Sequence, residues 1–430
     1  MTEKHILPSQ LFGRVAAPPA KSDAHRGLIC ACLSRGKATL HPIALSRDIQ
    51  ATIACAEALG AIITYDLTKK TININAENFG LPQKGNNEKI TLDCGESGST
   101  LRFFIPIAAA LGLNVVFTGE GRLPKRPIGV YEDILPPQGI ACKTKGGLPF
   151  EISGTLQSGV FTLPGNVSSQ FVSGLLMALP MLPQSSEVVL TSPLESEGYV
   201  QMTISTLKRF GVKVTKTATG YSIPGGQKYN PCNYEVEGDW SQAAFWLVAG
   251  AISGSVTVTG LSKNSLQPDK KIAEILKTYG AAIEFDGDEV TAELSFLQAP
   301  DDCKIDVCQI PDLVPILAVL ASLSEGKTKI TNAQRLRIKE SDRLTATARA
   351  LRALGGLVQE NPDGLEISGT EMLKPGKAEG KNDHRIVMAT AIAALLCDGK
   401  TTVTDSESIE KSYPTFWDEY TRLGGRLEEY

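Results

Sequence analysis

Ser22-Asp23-Ala24-His25-Arg26, Ser97-Gly98-Ser99-Thr100-Leu101-Arg102, Ser168-Ser169-Gln170, Asp239-Trp240-Ser241-Gln242, Asp312 and Asn382-Asp383-His384-Arg385 are six polar clusters spread evenly along the chain. They open at residues 22, 97, 168, 239, 312 and 383, so successive steps are 71 to 75 residues. Chance does not keep such a register, and a fixed period is the mark of a repeated structural unit. Each cluster is followed by an Ala/Leu-rich run with helical spacing, a glycine, a short Thr/Val strand and often a second helix ending in glycine. In the first copy the helix runs to Ser34, the strand covers residues 36–40 and the second helix ends at Leu59-Gly60. Later copies carry strands at Val115-Val116-Phe117, 188–190, 254–258, 328–330 and 399–403.

Strands mixed with paired helices in six copies predict an α/β (α+β) protein. Units this long are not solenoid repeats, and they divide naturally into two domains of three copies. The break is expected near Glu237-Gly238-Asp239, after the Pro/Gly/Asn-rich residues 224–233.

Ser, Asp and Asn at these openings can cap a helix, each contributing about 1 kcal/mol. For Ser241 and its neighbours capping accounts for the residues present. Elsewhere cations stand within a turn of the cap: Lys21 and Arg26, Arg102, Arg385, and Arg343 at the head of a later helix. A helix N-terminus repels cations, so repeating that choice points to an anion-binding role. The densest case is Arg335-Leu336-Arg337-Ile338-Lys339-Glu340-Ser341-Asp342-Arg343, ahead of an apolar helical run through Leu344, Ala348, Leu351 and Leu354 to Gly355-Gly356. The expectation is that these charges gather at one helix start, with Asp342 capping it or orienting Arg343.

Composition narrows the function classes. The 430 residues are 42% hydrophobic and 21% charged, with a net charge of −4. That balance disfavours nucleic-acid and anionic-membrane surfaces, which call for a net basic face. Nine scattered cysteines without a C-x-x-C pair, and only four histidines, predict reduced thiols rather than disulfides or a metal centre. Residues 1–8 lack an apolar signal core, and no apolar run is long enough to span a bilayer. A cytoplasmic monomer is the expectation.

Lys21-Ser22-x-x-x-Arg26, Gly98-Ser99-Thr100-x-Arg102, Arg126-Pro127-Ile128, Ser168-Ser169-Gln170, Pro311-Asp312, Lys339-Glu340-Ser341-Asp342-Arg343, Asn382-Asp383-His384-Arg385 and Lys411 follow one another in the order of the repeats. Together they resemble the enolpyruvyl transferases, and within them the branch whose acceptor is shikimate 3-phosphate. The resemblance covers nearly the whole chain. It implies a two-domain inside-out α/β barrel of six βαβαββ units. Residues 1–20 would join 240–430 in one domain, 21–239 would form the other, and the active site would lie in the interdomain cleft. It also implies transfer of the enolpyruvyl group of phosphoenolpyruvate to the 5-hydroxyl of shikimate 3-phosphate, a step of the shikimate pathway toward chorismate and the aromatic amino acids. No metal or organic cofactor is required.

By the same resemblance Lys21, Arg126, Gln170, Arg343, Arg385 and Lys411 clamp phosphoenolpyruvate, with Gly98 letting the backbone approach it. Ser22 and Arg26 would meet the shikimate carboxylate, and Ser168, Ser169 and Ser196 its phosphate. Asp312 and Lys339 would hold the ring hydroxyls, Asp312 acting as base and Glu340 as proton donor to the methylene carbon. Tyr199 and His384 are expected to support the site rather than act in catalysis. Two positions depart from the family: Glu96 stands where a neutral amide is usual, and Arg335 replaces a usual asparagine and is expected to bind phosphate. Transfer to a UDP-N-acetyl sugar is the alternative within the family. That branch carries a reactive cysteine before the Arg-Pro, and the loop Gly119-Glu120-Gly121-Arg122-Leu123-Pro124-Lys125-Arg126 has none. A non-catalytic binder would need the cations but not the Asp312 and Glu340 pair.

Overall fold

The computed structural model describes residues 2–81 and 89–428; the other residues of the two expected domains lie outside the described residues. It holds six four-stranded sheets of one topology. In each, an edge strand runs parallel to its neighbour, and the two remaining strands follow antiparallel. One example sets Asn233–Glu235 parallel to Lys37–His41, which pairs antiparallel with Thr71–Asn75 and that with Ile62–Asp66. Another sets Cys303–Asp306 parallel to Lys327–Thr331, followed by Gly364–Ser368 and Leu357–Asn361. Six copies in sequence thus become six copies in space.

The chain divides into two compact units, Met1–Pro18 with Glu237–Tyr430, and Pro19–Val236. In the first, strand Phe12–Ala16 pairs in parallel with Ser255–Thr259, and Glu3–Leu7 pairs with Thr401–Thr404. The N-terminal strands therefore belong with the C-terminal half. In the second, Asn233–Glu235 returns to the first sheet.

The helix opening each repeat is the buried one. Every residue of Trp240–Ser253, Val314–Ser322 and His384–Ala393 is buried, and these three pack on one another in one unit. Lys21–Leu33, Gly98–Ala110 and Ser169–Ala178 are their counterparts in the other. A helix apolar all round has no solvent face, so sheets must cover it. That is the physical content of an inside-out barrel. At about 1.5–3 kcal/mol for each large apolar side chain buried, side chains such as Trp246, Leu317 and Met388 hold the helices together. Among the described residues no helix is long and apolar enough to cross a membrane.

Candidate functional site

In the Glu237–Tyr430 unit three buried helices begin inside one polar cluster. Arg385, second residue of its helix, donates from Nη2 to Ser241 Oγ at 2.9 Å and to Asp312 Oδ2 at 3.3 Å. Ser241 is the second residue of Trp240–Ser253, and Asp312 lies in the 3-10 turn Pro311–Leu313 ahead of Val314–Ser322. Pro315 fits the first turn of that last helix, where an N–H would have no intrahelical partner. Ser241 departs from simple capping. Asp239 caps that helix, accepting from the Ser241 and Gln242 amides at 2.9 and 3.1 Å, while the Ser241 hydroxyl orients Arg385.

Arg343 is the hub. Its side chain is 1% exposed and meets three carboxylates: Asp312 through Nη1 at 2.8 Å, Glu340 through Nη2 at 2.8 Å, and Asp383 through Nε at 2.8 Å. Asp383 is itself fully buried, caps the Arg385 amide at 3.0 Å and accepts from Ser341 Oγ at 2.9 Å. It carries no assigned role from sequence, although its place at a repeat opening marks it. Lys339 Nζ stands 3.6 Å from Asp312, and Lys411, 3% exposed, donates to the Asn382 carbonyl at 2.7 Å. His384 is buried beside them.

These contacts set the charge states. Burial alone would raise the Asp312 pKa, but Arg385, Lys339 and Arg343 outweigh it and hold the carboxyl well below the usual carboxylate range. For Arg343 burial opposes the charge, yet Asp383, Glu340 and Asp312 push its pKa up further. Burial lowers the Lys339 pKa, against the pull of Asp312 and Glu340.

The charged stretch does not gather at one helix start as its sequence suggests. Gln334–Ile338 is a separate 3-10 helix, and the α-helix Arg343–Ala353 starts only at the last arginine. Arg337 turns elsewhere, to Glu360 at 2.8 Å and Asp342 at 3.1 Å, with further bonds to the Asn361 and Pro362 carbonyls. Asp342 caps Thr345 at 3.1 Å and pairs with Arg337, not Arg343. Arg335 is half-buried and donates to the Cys308 carbonyl at 2.8 Å.

In the Pro19–Val236 unit Lys21 opens its helix and meets Asp48 Oδ2 at 2.6 Å. Arg26 is 2% exposed, and its donors go to the Ser22 carbonyl at 2.5 Å, Thr203 Oγ1 at 2.7 Å and the Tyr199 carbonyl at 3.0 Å. Burial lowers its pKa to about 10. Gly98 begins the next buried helix, capped by Ser97, and a Cβ built there would stand 2.6 Å from Arg126 Nη1 and 2.9 Å from Arg102 Nη1. Arg126 is buried, as a plain loop arginine would not be.

Arg102, a cation near a cap and part of the Gly98-Ser99-Thr100-x-Arg102 motif but given no substrate contact from sequence, ties this half together. It donates to Gln170 Oε1 at 2.6 Å and to the Pro127 carbonyl at 2.9 Å, and lies over the Phe171 ring. Gln170 in turn reaches Ser99 Oγ at 2.9 Å. Ser168 caps the Ser169–Ala178 helix. Ser196 is buried with φ of 55°, a left-handed backbone unusual for serine and of the kind found at working sites. Glu96 points at the loop leading to Arg126, because a side chain on Gly121 would collide with its carboxylate. Among the described residues no group of three or more His, Cys, Asp or Glu is arranged to hold a metal ion.

Six sheets of one topology over buried helices, with arginines, lysines and carboxylates at the helix starts, define an α/β fold whose helix ends suit anionic ligands. Comparison with known proteins narrows this: the family model for EPSP synthase (3-phosphoshikimate 1-carboxyvinyltransferase) matches residues 7–420. The chain belongs to the EPSP synthase family. It is 47% identical to a 3-phosphoshikimate 1-carboxyvinyltransferase of Clostridium acetobutylicum, over 99% of this chain and 98% of that protein. Identity is 42% to the protein of that name from Clostridioides difficile, again over 99% and 98%. The solved EPSP synthase of Acinetobacter baumannii superposes with a TM-score of 0.81 at 26% identity, covering both chains fully. The enolpyruvyl transferase NikO of Streptomyces tendae shares the fold, with a TM-score of 0.80 at 16% identity over 99% and 98% of the two chains.

Proposed function

We propose that the two clusters serve one reaction: transfer of the enolpyruvyl group of phosphoenolpyruvate to the 5-hydroxyl of shikimate 3-phosphate, with release of inorganic phosphate. The observation that carries the reading is Arg343, whose single guanidinium holds both the base candidate Asp312 and the acid candidate Glu340. An anion-binding protein needs cations, but not an acid and a base on one cation.

Lys21, Arg126, Gln170, Arg343, Arg385 and Lys411 bind phosphoenolpyruvate, whose close approach is allowed by Gly98. Ser22, Arg26, Ser168, Ser169, Gln170, Ser196, Arg335 and Lys339 bind shikimate 3-phosphate. The 5-hydroxyl oxygen attacks the enol carbon while its proton passes to Asp312 and Glu340 gives a proton to the methylene carbon, forming a tetrahedral intermediate. The methyl carbon so formed then loses a proton to Glu340 as the bond between the tetrahedral carbon and the phosphate oxygen breaks, and the proton held by Asp312 passes to the departing phosphate. The guanidiniums stabilise the negative charge throughout.

The charge balance of Asp312 gives substrate binding a part in this. Arg385, Lys339 and Arg343 keep it a weak base. Phosphoenolpyruvate offers Arg343 and Arg385 competing anions, so its arrival weakens their hold and raises the proton affinity of Asp312. The base is thereby strengthened when there is a hydroxyl to activate. The protein works in this reading as a cytoplasmic monomer, without nucleic acid or membrane.

The test is phosphate release by the purified protein with phosphoenolpyruvate and either shikimate 3-phosphate or UDP-N-acetylglucosamine. Release is expected only with the first acceptor. Release with the sugar nucleotide instead would transfer the reading to the sister reaction, and release with neither would leave only binding.

A further inference from the structure

Beneath the substrate-facing residues of the Pro19–Val236 unit runs a row of side-chain hydrogen bonds that no role above uses. His25 Nδ1 lies 2.7 Å from Thr52 Oγ1, Thr52 Oγ1 lies 2.6 Å from Thr100 Oγ1, and Thr100 Oγ1 donates to Ser97 Oγ at 2.7 Å. All four side chains belong to residues that are 0% exposed. The row joins the starts of three helices, Lys21–Leu33, Arg47–Ala58 and Gly98–Ala110.

Two of its members, His25 and Thr52, lie one helical turn below Lys21 and Asp48, and the other two flank Gly98. His25 follows Lys21 by four residues, and Thr52 follows Asp48 by four, which places each pair on one helix face. Lys21 and Asp48 are themselves joined at 2.6 Å, so two parallel ties connect the first and second helices. At the far end, Ser97 Oγ also accepts the Thr100 amide at 3.2 Å, fixing where the third helix begins and hence where Gly98 sits.

The protons have one consistent order. Thr100 has a single hydroxyl proton and gives it to Ser97, so across the 2.6 Å contact Thr52 donates to Thr100, in preference to the Asp48 carbonyl at 3.3 Å, and His25 Nδ1–H donates to Thr52. His25 Nε2 is sealed from solvent without a hydrogen-bond partner. A second proton there would be a buried, unpaired charge beside Lys21 and Arg26, so the ring stays neutral and the order does not reverse. β-Branched threonines, stiff at χ1, suit a row whose length is to be fixed.

We propose that His25, Thr52, Thr100 and Ser97 form a positioning relay for phosphoenolpyruvate. The row sets the distance between Lys21, at the start of the first helix, and the Gly98–Arg126 contact at the start of the third. It touches no reacting atom. Apolar packing between these helices has no distance preference as sharp as a hydrogen bond, so loss of the relay lets the helix starts shift while the core stays folded. The inference rests on the assignment of Lys21 and Gly98 to phosphoenolpyruvate made above.

Thr52→Val removes the hydroxyl but keeps the shape and the branch, and Thr52→Ser restores the hydroxyl. Both are compared with wild type in steady-state kinetics, varying each substrate separately, and in thermal unfolding. Thr52→Val is expected to raise KM for phosphoenolpyruvate about tenfold or more, while kcat and KM for shikimate 3-phosphate change by less than about threefold. Thr52→Ser should bring KM for phosphoenolpyruvate back to within about threefold of wild type. A merely structural hydroxyl would lower the melting temperature and leave that split unmoved. An unchanged KM for phosphoenolpyruvate, an equal rise for both substrates, a loss confined to kcat, or no recovery with serine overturns the relay. Should Thr52→Val not fold, His25→Asn, which shortens the reach to Thr52, is read by the same criteria. Lys21→Met separates the two levels. If it leaves KM for phosphoenolpyruvate unchanged, the assignment of Lys21 falls and the relay with it. If it abolishes that binding while Thr52→Val is inert, only the relay falls.

Discussion

Gly98→Ala separates stability from substrate affinity. The Gly98 backbone is not left-handed, so alanine meets no conformational barrier there, and helix propensity favours it by up to about 1 kcal/mol. The obstacle is the new Cβ, 2.6 Å from Arg126 Nη1, 2.8 Å from its Cζ and 2.9 Å from Arg102 Nη1. Ordinary van der Waals contact begins near 3.4 Å, so the Arg126 guanidinium must retreat by about 0.8 Å. It is the end of a long side chain and can move without breaking the fold. Arg102 is tied to Gln170 at 2.6 Å and to the Pro127 carbonyl at 2.9 Å, so its displacement also disturbs those partners. A misplacement approaching 1 Å in a clamp costs on the order of 10- to 100-fold. The expected result is a rise of that size in KM for phosphoenolpyruvate, a KM for shikimate 3-phosphate within about threefold of wild type, and an unchanged or slightly higher melting temperature. Steady-state phosphate release with each substrate varied in turn provides the assay. A variant with wild-type KM for phosphoenolpyruvate would refute the assignment of this helix start to that substrate.

Asp312→Asn should lower turnover by 100-fold or more, on the order of a general base's contribution. It should also cost about 1–3 kcal/mol of stability in denaturant titration, because the buried Arg343 and Arg385 and the partly buried Lys339 lose a charged partner. Asp312 has a folded-state pKa below its unfolded value near 3.8, so its contribution is present above that value and lost as pH falls through the folded one. The stability gap between wild type and Asp312→Asn should therefore be level above about pH 5 and shrink in acid; a gap that widens in acid would contradict the ion pairs. Ser241→Ala removes the 2.9 Å tether of Arg385 and should raise KM for phosphoenolpyruvate about five- to tenfold without unfolding the protein, as measured by the same kinetics and by circular dichroism. Thiol labelling of the native protein should be confined to Cys142, Cys232, Cys303 and Cys308, with the five buried cysteines reacting only in denaturant; early labelling of Cys30 or Cys32 would contradict the burial that raises their pKa values.

The repeat was legible because each copy restates the same local chemistry: a cap, a helix that cannot tolerate water on any face, a glycine and a β-branched strand. Arg343 and Arg385 were legible as cations placed against the helix dipole. Arg337 was not separable from Arg343 by that rule, since both stand in the same charged stretch. What separates them is the strand pair Leu357–Asn361 and Gly364–Ser368, which brings Glu360 to Arg337. Asp383 looked like a cap and is one, yet its second oxygen holds Arg343, 40 residues earlier. Ser241 likewise serves an arginine 144 residues away.

The sequence alone determined the number of units, their class and the helix starts where anions would be welcome. Those are consequences of local propensity and periodic burial, which each segment carries within itself. The tertiary structure decided which cation meets which carboxylate: Asp312 with Arg343, Arg385 and Lys339, Arg102 with Gln170, and His25 with Thr52. Such pairs join elements 27 to 73 residues apart, some within one repeat and some across two, and their distances follow from how the buried helices pack, which no single segment specifies.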